Sequence, residues 1–289
     1  MNLISFPNRT LYSGWHRRVP RVARHAAFVT VVLTSIVFTI ALAAQNSATP
    51  TPLQLEIEKQ RQRLSSPEVE ERRDALMRLA AMRRAEAARA ALSALSDPVP
   101  LIRATAAATV AHLPADEAIA SLVPLLSDKD EFVRCQTAYA LGNTRSRSAV
   151  TPLVERLRLD KFDSVRAAAA VSLGQIGDES AVVPLAEILS ESGGKKQKRE
   201  KNEFILRASA HSLGQLRSRA AVPALLNLLG AKSMSSDVRR EAAQSLGLIG
   251  DATALSALEA LALEGDPYLT QVANSAIRQI NSRTGKANP

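Results

Sequence analysis

The side chains able to do chemistry in this chain are few. Histidine occurs at His16, His25, His112 and His211, and cysteine only at Cys135. A metal centre needs several imidazoles, thiolates or carboxylates converging on one point. No histidine here is followed directly by glutamate, and His112 and His211 stand at inequivalent places in the repeated pattern described below. One cysteine forms neither a disulfide nor a thiolate cluster, and the expectation is that it packs as a small hydrophobe. Each Gly-x-x-Gly falls in a repeat turn and not in a phosphate-binding loop. The sequence therefore predicts no catalytic residue, no metal and no cofactor.

The remaining candidates are charges. The formal net charge is +9 in 289 residues, a value that suggests nucleic acid until the bases are located. Arg9, Arg17, Arg18, Arg21 and Arg24 occupy a leader without acids, and Lys195, Lys196, Lys198, Arg199 and Lys201 share one run with Glu200. Setting aside those ten bases and one acid leaves 27 of each sign from the 37 bases and 28 acids. The body is neutral, so no nucleic-acid partner is expected. The basic run follows Gly193-Gly194 and reads as a solvated loop, either tolerated as an insertion or used as an electrostatic contact with anionic lipid or an acidic polymer.

These residues are positioned by a repeat. Val165-Arg166-Ala167-Ala168-Ala169-Ala170-Val171-Ser172-Leu173-Gly174-Gln175-Ile176-Gly177 returns almost unchanged as Val238 to Gly250. Alignment on the leucine places anchors at Leu79, Val110, Leu141, Leu173, Leu213, Leu246 and Ile277, spaced by 31, 31, 32, 40, 33 and 31 residues. The 40-residue step contains the basic run, 191–202. Small residues four positions before the anchors let helices approach closely. A glycine follows several anchors, and we expect it near a helix end, where its backbone freedom is useful. Pro124, Pro152, Pro184 and Pro223 sit early in a second apolar run, as proline does in a first helical turn. Each unit reads as helix, turn, helix, and units that cannot bury their apolar faces alone must stack. With 46% hydrophobic and only 3% aromatic residues, the composition suits small-residue helix packing better than strands.

The Val-Arg-x-x-Ala-Ala-x-x-Leu-Gly-x-Ile-Gly signature resembles the HEAT repeat, in the short Ala-rich form found in phycobilisome lyases. The resemblance covers about residues 67–281 and implies an all-α fold, an α-solenoid of stacked helix pairs. In that family the arginine seven residues before the anchor, here Arg103, Arg134, Arg166 and Arg239, is usually structural, paired with acids such as Asp163 or Asp237. Leu206 and Thr270 interrupt the column. Deoxyhypusine hydroxylase, a HEAT-like enzyme that binds iron through His-Glu pairs, and the bilin lyases are the enzymes the resemblance brings forward. The absent His-Glu dipeptides argue against the first, and only the scaffold supports the second.

Residues 1–25 read as a basic cytoplasmic leader and 26–44 as an uncharged apolar helix. That helix is either a transmembrane anchor or a signal-peptide core cleaved at Ala41-Leu42-Ala43. Either way the arginines stay inside and the rest is placed outside, which gives a bacterial, extracytoplasmic protein, membrane-anchored or secreted. Residues 45–66 form a linker and capping helix, and 282–289 a tail. The functional expectation is a non-enzymatic scaffold whose concave face meets a protein partner. The alternative is envelope binding of anionic material through the lysine-rich run. A bilin-lyase-like or deoxyhypusine-hydroxylase-like enzyme is the remote third reading.

Overall fold

A computed structural model describes residues 49–191 and 202–284. Helix α1 (Pro52–Arg63) precedes two alternating sets of helices. The long set is α2 (Val69–Ala81), α4 (Pro100–Val110), α6 (Glu131–Asn143), α8 (Asp163–Ile176), α10 (Glu203–Leu216), α12 (Ser236–Ile249) and α14 (Pro267–Thr284). The short set is α3 (Ala85–Ala90), α5 (Ala115–Leu122), α7 (Val150–Leu159), α9 (Val182–Glu191), α11 (Val222–Gly230) and α13 (Leu255–Ala262), each joined to a 3-10 turn. Successive long helices pack on one another, and each from α4 onward packs on the short helix or 3-10 turn that precedes it. The result is a two-layer, all-α solenoid.

The anchors make the core. Leu79, Leu141, Leu173, Leu213 and Leu246 are almost fully buried, with the small residues four positions earlier (Ala75, Ala169 and Ala242 among them) beside them. A leucine and an alanine one turn apart give each long helix one apolar stripe, which it lays against its short partner. Ile277 is the exception: it is only partly covered, and Ala276 and Ile280 carry the burial in α14.

The glycine that follows four of the seven anchors has a different task from the expected one. Gly142, Gly174, Gly214 and Gly247 lie inside their helices with ordinary backbone, whereas the left-handed residues that end the helices are Gly177 and Gly250, at φ +78° and +79°. A methyl group at Gly174 would meet Ser212 Oγ at 2.6 Å, and at Gly214 it would meet the Ser245 Cα at 2.9 Å. The anchor glycines exist for close approach between neighbouring long helices, not for capping. Arg83, Arg145 and Arg217 occupy the left-handed position in three other units, at φ between 48° and 54°.

Hydroxyls tie the same seams. Ser172, Ser212 and Ser245, each one residue before an anchor, donate to the carbonyls of Ala138, Ala170 and Ala210 on the preceding long helix, all at 2.8 Å. Thr109 reaches Leu76 O in the same way at 3.4 Å. With glycine on one side and serine on the other, the long layer draws together more tightly than the short layer. It therefore forms the concave side of the stack.

Candidate functional site

The arginine column is a zipper along the turns. Arg72, Arg103 and Arg134 are buried, and each sets two guanidinium nitrogens against the carboxylate of Asp97, Asp128 or Asp160, with Nε–Oδ2 distances of 2.8 Å. The third nitrogen of Arg103 donates to Asp97 O, and that of Arg134 to Asp128 O. Each aspartate thus accepts one unit's arginine on its side chain, while the carbonyls of Asp97 and Asp128 accept the next unit's. The same carboxylates accept the N–H two residues on, at Val99, Asp130 and Phe162, and so shape the turn into the next helix. The Arg134 guanidinium also lies 5.4 Å from the Phe162 ring centre.

Of the two expected acid partners, Asp163 meets an arginine of the column and Asp237 does not. Arg166 touches Asp163 at 3.4 Å but places Nε on the Leu157 carbonyl at 2.8 Å. Arg239 bonds Glu264, with Nη2–Oε1 at 2.7 Å, and the Leu229 carbonyl, while Asp237 pairs with Arg240. The partners of Arg72, Arg103, Arg134 and Arg239 come from the turn after the short helix, where a carboxylate faces the guanidinium across the unit, whereas Arg166 meets Asp163 in the first turn of its own helix. Electrostatics follow the geometry. The hydrogen bond from Arg103 holds the Asp128 carboxyl below its ordinary value against the opposing effect of burial. At Asp160 burial pushes upward, yet Arg134 and the Phe162 N–H outweigh it and the net shift is downward.

The column is therefore internal, and the surface available to a ligand is the concave face of the long helices. Two residues past the anchors stand Gln175, Gln215 and Gln279, and nine before them the exposed Phe132, Phe204 and Tyr268. Between these rows, His211 Nδ1 lies 2.9 Å from Glu241 Oε1 across the α10–α12 seam, and its Nε2 lies 3.1 Å from Gln215 Nε2. A carboxylate accepts only, so Nδ1 carries the proton and Nε2 accepts from the glutamine. Two clefts open on this face. One, of about 370 Å³, is walled by Arg240, Gln244, Tyr268, Gln271, Ser275 and Gln279. The other, of about 450 Å³, is walled by Asn143, Arg145, Gln175 and Gln215 above Gly142 and Gly174.

Among the described residues no three His, Cys, Asp or Glu side chains group as metal ligands. His112 stands on the end of α4, three long helices from His211, so the two imidazoles of the repeat region do not converge. Burial pushes the Cys135 thiol up, away from the reactive thiolate. Lys195, Lys196, Lys198, Arg199 and Lys201 lie outside the described residues, as do the leader and the apolar segment 26–44. Among the described residues no helix is long and apolar enough to cross a membrane. Several partners escaped the sequence reading although they carry a periodic signal. Asp97, Asp128 and Asp160 recur with the unit spacing, and so do the seam serines and concave glutamines. His211–Glu241 has no such signal, because it occurs in one seam only.

Models of HEAT repeats match residues 57–134, 119–199 and 198–278. The chain belongs to the HEAT-repeat family. It is 37% identical over 71 residues to a deoxyhypusine hydroxylase of Gallus gallus, covering 25% of this chain and 24% of that protein. It is 34% identical over 88 residues to deoxyhypusine hydroxylase-B of Oryza sativa subsp. japonica, covering 30% and 29%. The chain thus spans a quarter to under a third of the length of these curated relatives. Among solved structures, human deoxyhypusine hydroxylase in complex with glycerol shares 22% identity over 79% of this chain and 96% of its own, at a TM-score of 0.39. The complex of CpcE and CpcF of phycocyanin lyase from Nostoc sp. PCC7120 shares 20% identity over 81% and 96%, at 0.47. The expectation of a non-enzymatic protein is overturned by the curated relatives, which are enzymes by name. The missing His-Glu dipeptides weighed one metal chemistry and not catalysis as such, so they were too narrow a ground for that exclusion.

Proposed function

We propose that the chain is a HEAT-repeat enzyme whose substrate lies along the concave face of the long helices, with His211 and Glu241 as its proton-transfer pair. The observation that carries this reading is the sequence likeness, over about two repeats, to deoxyhypusine hydroxylases. The described residues do not fit an iron site, since their metal-ligating side chains do not converge, and no step is routed through a metal. What they offer is acid–base chemistry. Glu241 fixes the imidazole with Nε2 as the accepting nitrogen and stabilises the imidazolium that forms when that nitrogen takes a proton. A substrate O–H or N–H that displaces the Gln215 amide meets the base directly.

The test is incubation of the full chain with deoxyhypusine, free and within a polypeptide, with and without added Fe(II), read by mass spectrometry for any covalent change. Turnover is expected for the native chain and should fall at least about 100-fold in His211→Ala. No product from the native chain under either condition overturns the reading. Equal turnover in His211→Ala removes the pair from it.

The second part of the reading is an address outside the cytoplasm, supported by the apolar stretch 26–44 after five arginines. Fractionation of cells expressing the full chain, with mass measurement of its mature N-terminus, tests this. Recovery in the cytosol would exclude it.

A further inference from the structure

We infer that the substrate gripped by the concave face is an extended polypeptide in polyproline II conformation, held by its backbone through a row of glutamines. This rests on the concave face being the substrate cleft. Gln175 and Gln215 hold the same place on the neighbouring helices α8 and α10, and Gln279 holds it on α14, two helix spacings further on, with Leu248 in that place on α12. Each glutamine lies down across the seam to the preceding long helix. Their Oε1 atoms come within 2.7, 2.7 and 2.9 Å of where a Cβ would stand on Gly142, Gly174 and Gly247. The glycines that bring the helices together also make the bed for the amides. Gln244 and Gln271 wall the same cleft as Gln279, and Asn143 the same cleft as Gln175 and Gln215.

A primary amide offers donor and acceptor together and so complements a peptide group in either direction. Two features of the rail select the conformation. Packed helices stand about 8–10 Å apart, and polyproline II repeats every three residues at about 3.1 Å each, so equivalent peptide groups recur with nearly the same period. A β-strand repeats every two residues, at about 6.6 Å, and drifts out of register with the rail. Polyproline II also makes no internal hydrogen bonds, which leaves its carbonyls open to the glutamines. Tyr268 walls the same cleft as Gln279, and Phe132 and Phe204 hold the equivalent place near the start of their long helices. The three are 69%, 48% and 56% exposed, and exposed rings of this kind suit the flat faces of proline. Arg145 lines the cleft of Gln175 and Gln215, whereas Arg240 in the other cleft is paired with Asp237, so acidic side chains between the prolines are favoured over basic ones at the first cleft.

The probe is a fluorescent peptide of about nine residues, three turns of polyproline II, rich in proline and carrying two glutamates. Anisotropy titration with the full chain should show saturable binding. A Gly/Ser peptide of the same length and charge should bind at least about tenfold more weakly. The triple variant Gln175→Ala, Gln215→Ala, Gln279→Ala changes exposed side chains only, and its fold is checked by helical circular dichroism. It should lose at least about tenfold in affinity. Equal binding of both peptides, unchanged binding by the triple variant, or no binding of the proline-rich probe overturns the inference. The readout is independent of turnover. Binding without catalysis would leave the polypeptide groove standing and sink the enzyme reading, whereas catalysis on a substrate unaffected by the triple variant would do the reverse.

Discussion

At the scale of the residue, the pairs with the largest energetic consequence are Arg103–Asp128 and Arg134–Asp160. The side chains of the second are 7% and 3% exposed, so removing one partner leaves a charge in a place that water does not reach. Arg134→Met should cost about 3–5 kcal/mol, whereas Arg134→Met with Asp160→Leu should cost less than the single change, because no unpaired charge remains. Urea denaturation of the two variants decides it. The same aspartates set the acid limit. Their carboxyls titrate below the unfolded value of about 3.9 in the folded chain. The stability they confer is therefore complete above that pH and is lost as pH falls through the folded values. Denaturation midpoints should be level from about pH 5 to 8 and fall below about pH 4, and Asp160→Asn should blunt the fall.

At the scale of the element, two kinds of glycine separate cleanly. Gly214 sits in a helix, where alanine is intrinsically better by about 1 kcal/mol. Its methyl group would nevertheless press on the Ser245 backbone, and overpacking of that sort costs about 1–3 kcal/mol. Gly214→Ala should thus destabilise overall. Gly177 meets nothing within 4 Å, but its φ of +78° makes alanine there cost about 1 kcal/mol through backbone strain alone. Arg217, at φ +54°, is the converse, and Arg217→Gly should stabilise by up to about 1 kcal/mol. Thermal melts of the three variants test the ordering. The repeat period disclosed that a glycine follows the anchor, yet could not say why. In sequence a glycine inside a helix and one just past it look alike, and only the distance to the neighbouring helix tells them apart.

At the scale of the whole molecule, stability is a sum over units and seams. Helix α1 buries only Gln60, whereas α8, α10 and α12 bury about half or more of their residues. Native-state hydrogen exchange should therefore be fastest in Pro52–Arg63 and slowest in Ser236–Ile249 and Asp163–Ile176. Uniform protection along the array would contradict this additive picture.

Sequence by itself determined the helix pairs, their period, the anchors and the place of the insertion, because those follow from local patterns of small, apolar and turn residues that repeat. It also determined that the arginine column carries no net field, since acids balance it. Tertiary structure alone decided which acid meets which arginine, because guanidinium and carboxylate lie about 25 residues apart and meet only when a short helix folds back on its long partner. It alone joined His211 to Glu241, 30 residues away. The concave face and its glutamine rail likewise exist only once glycine and serine have drawn successive long helices together.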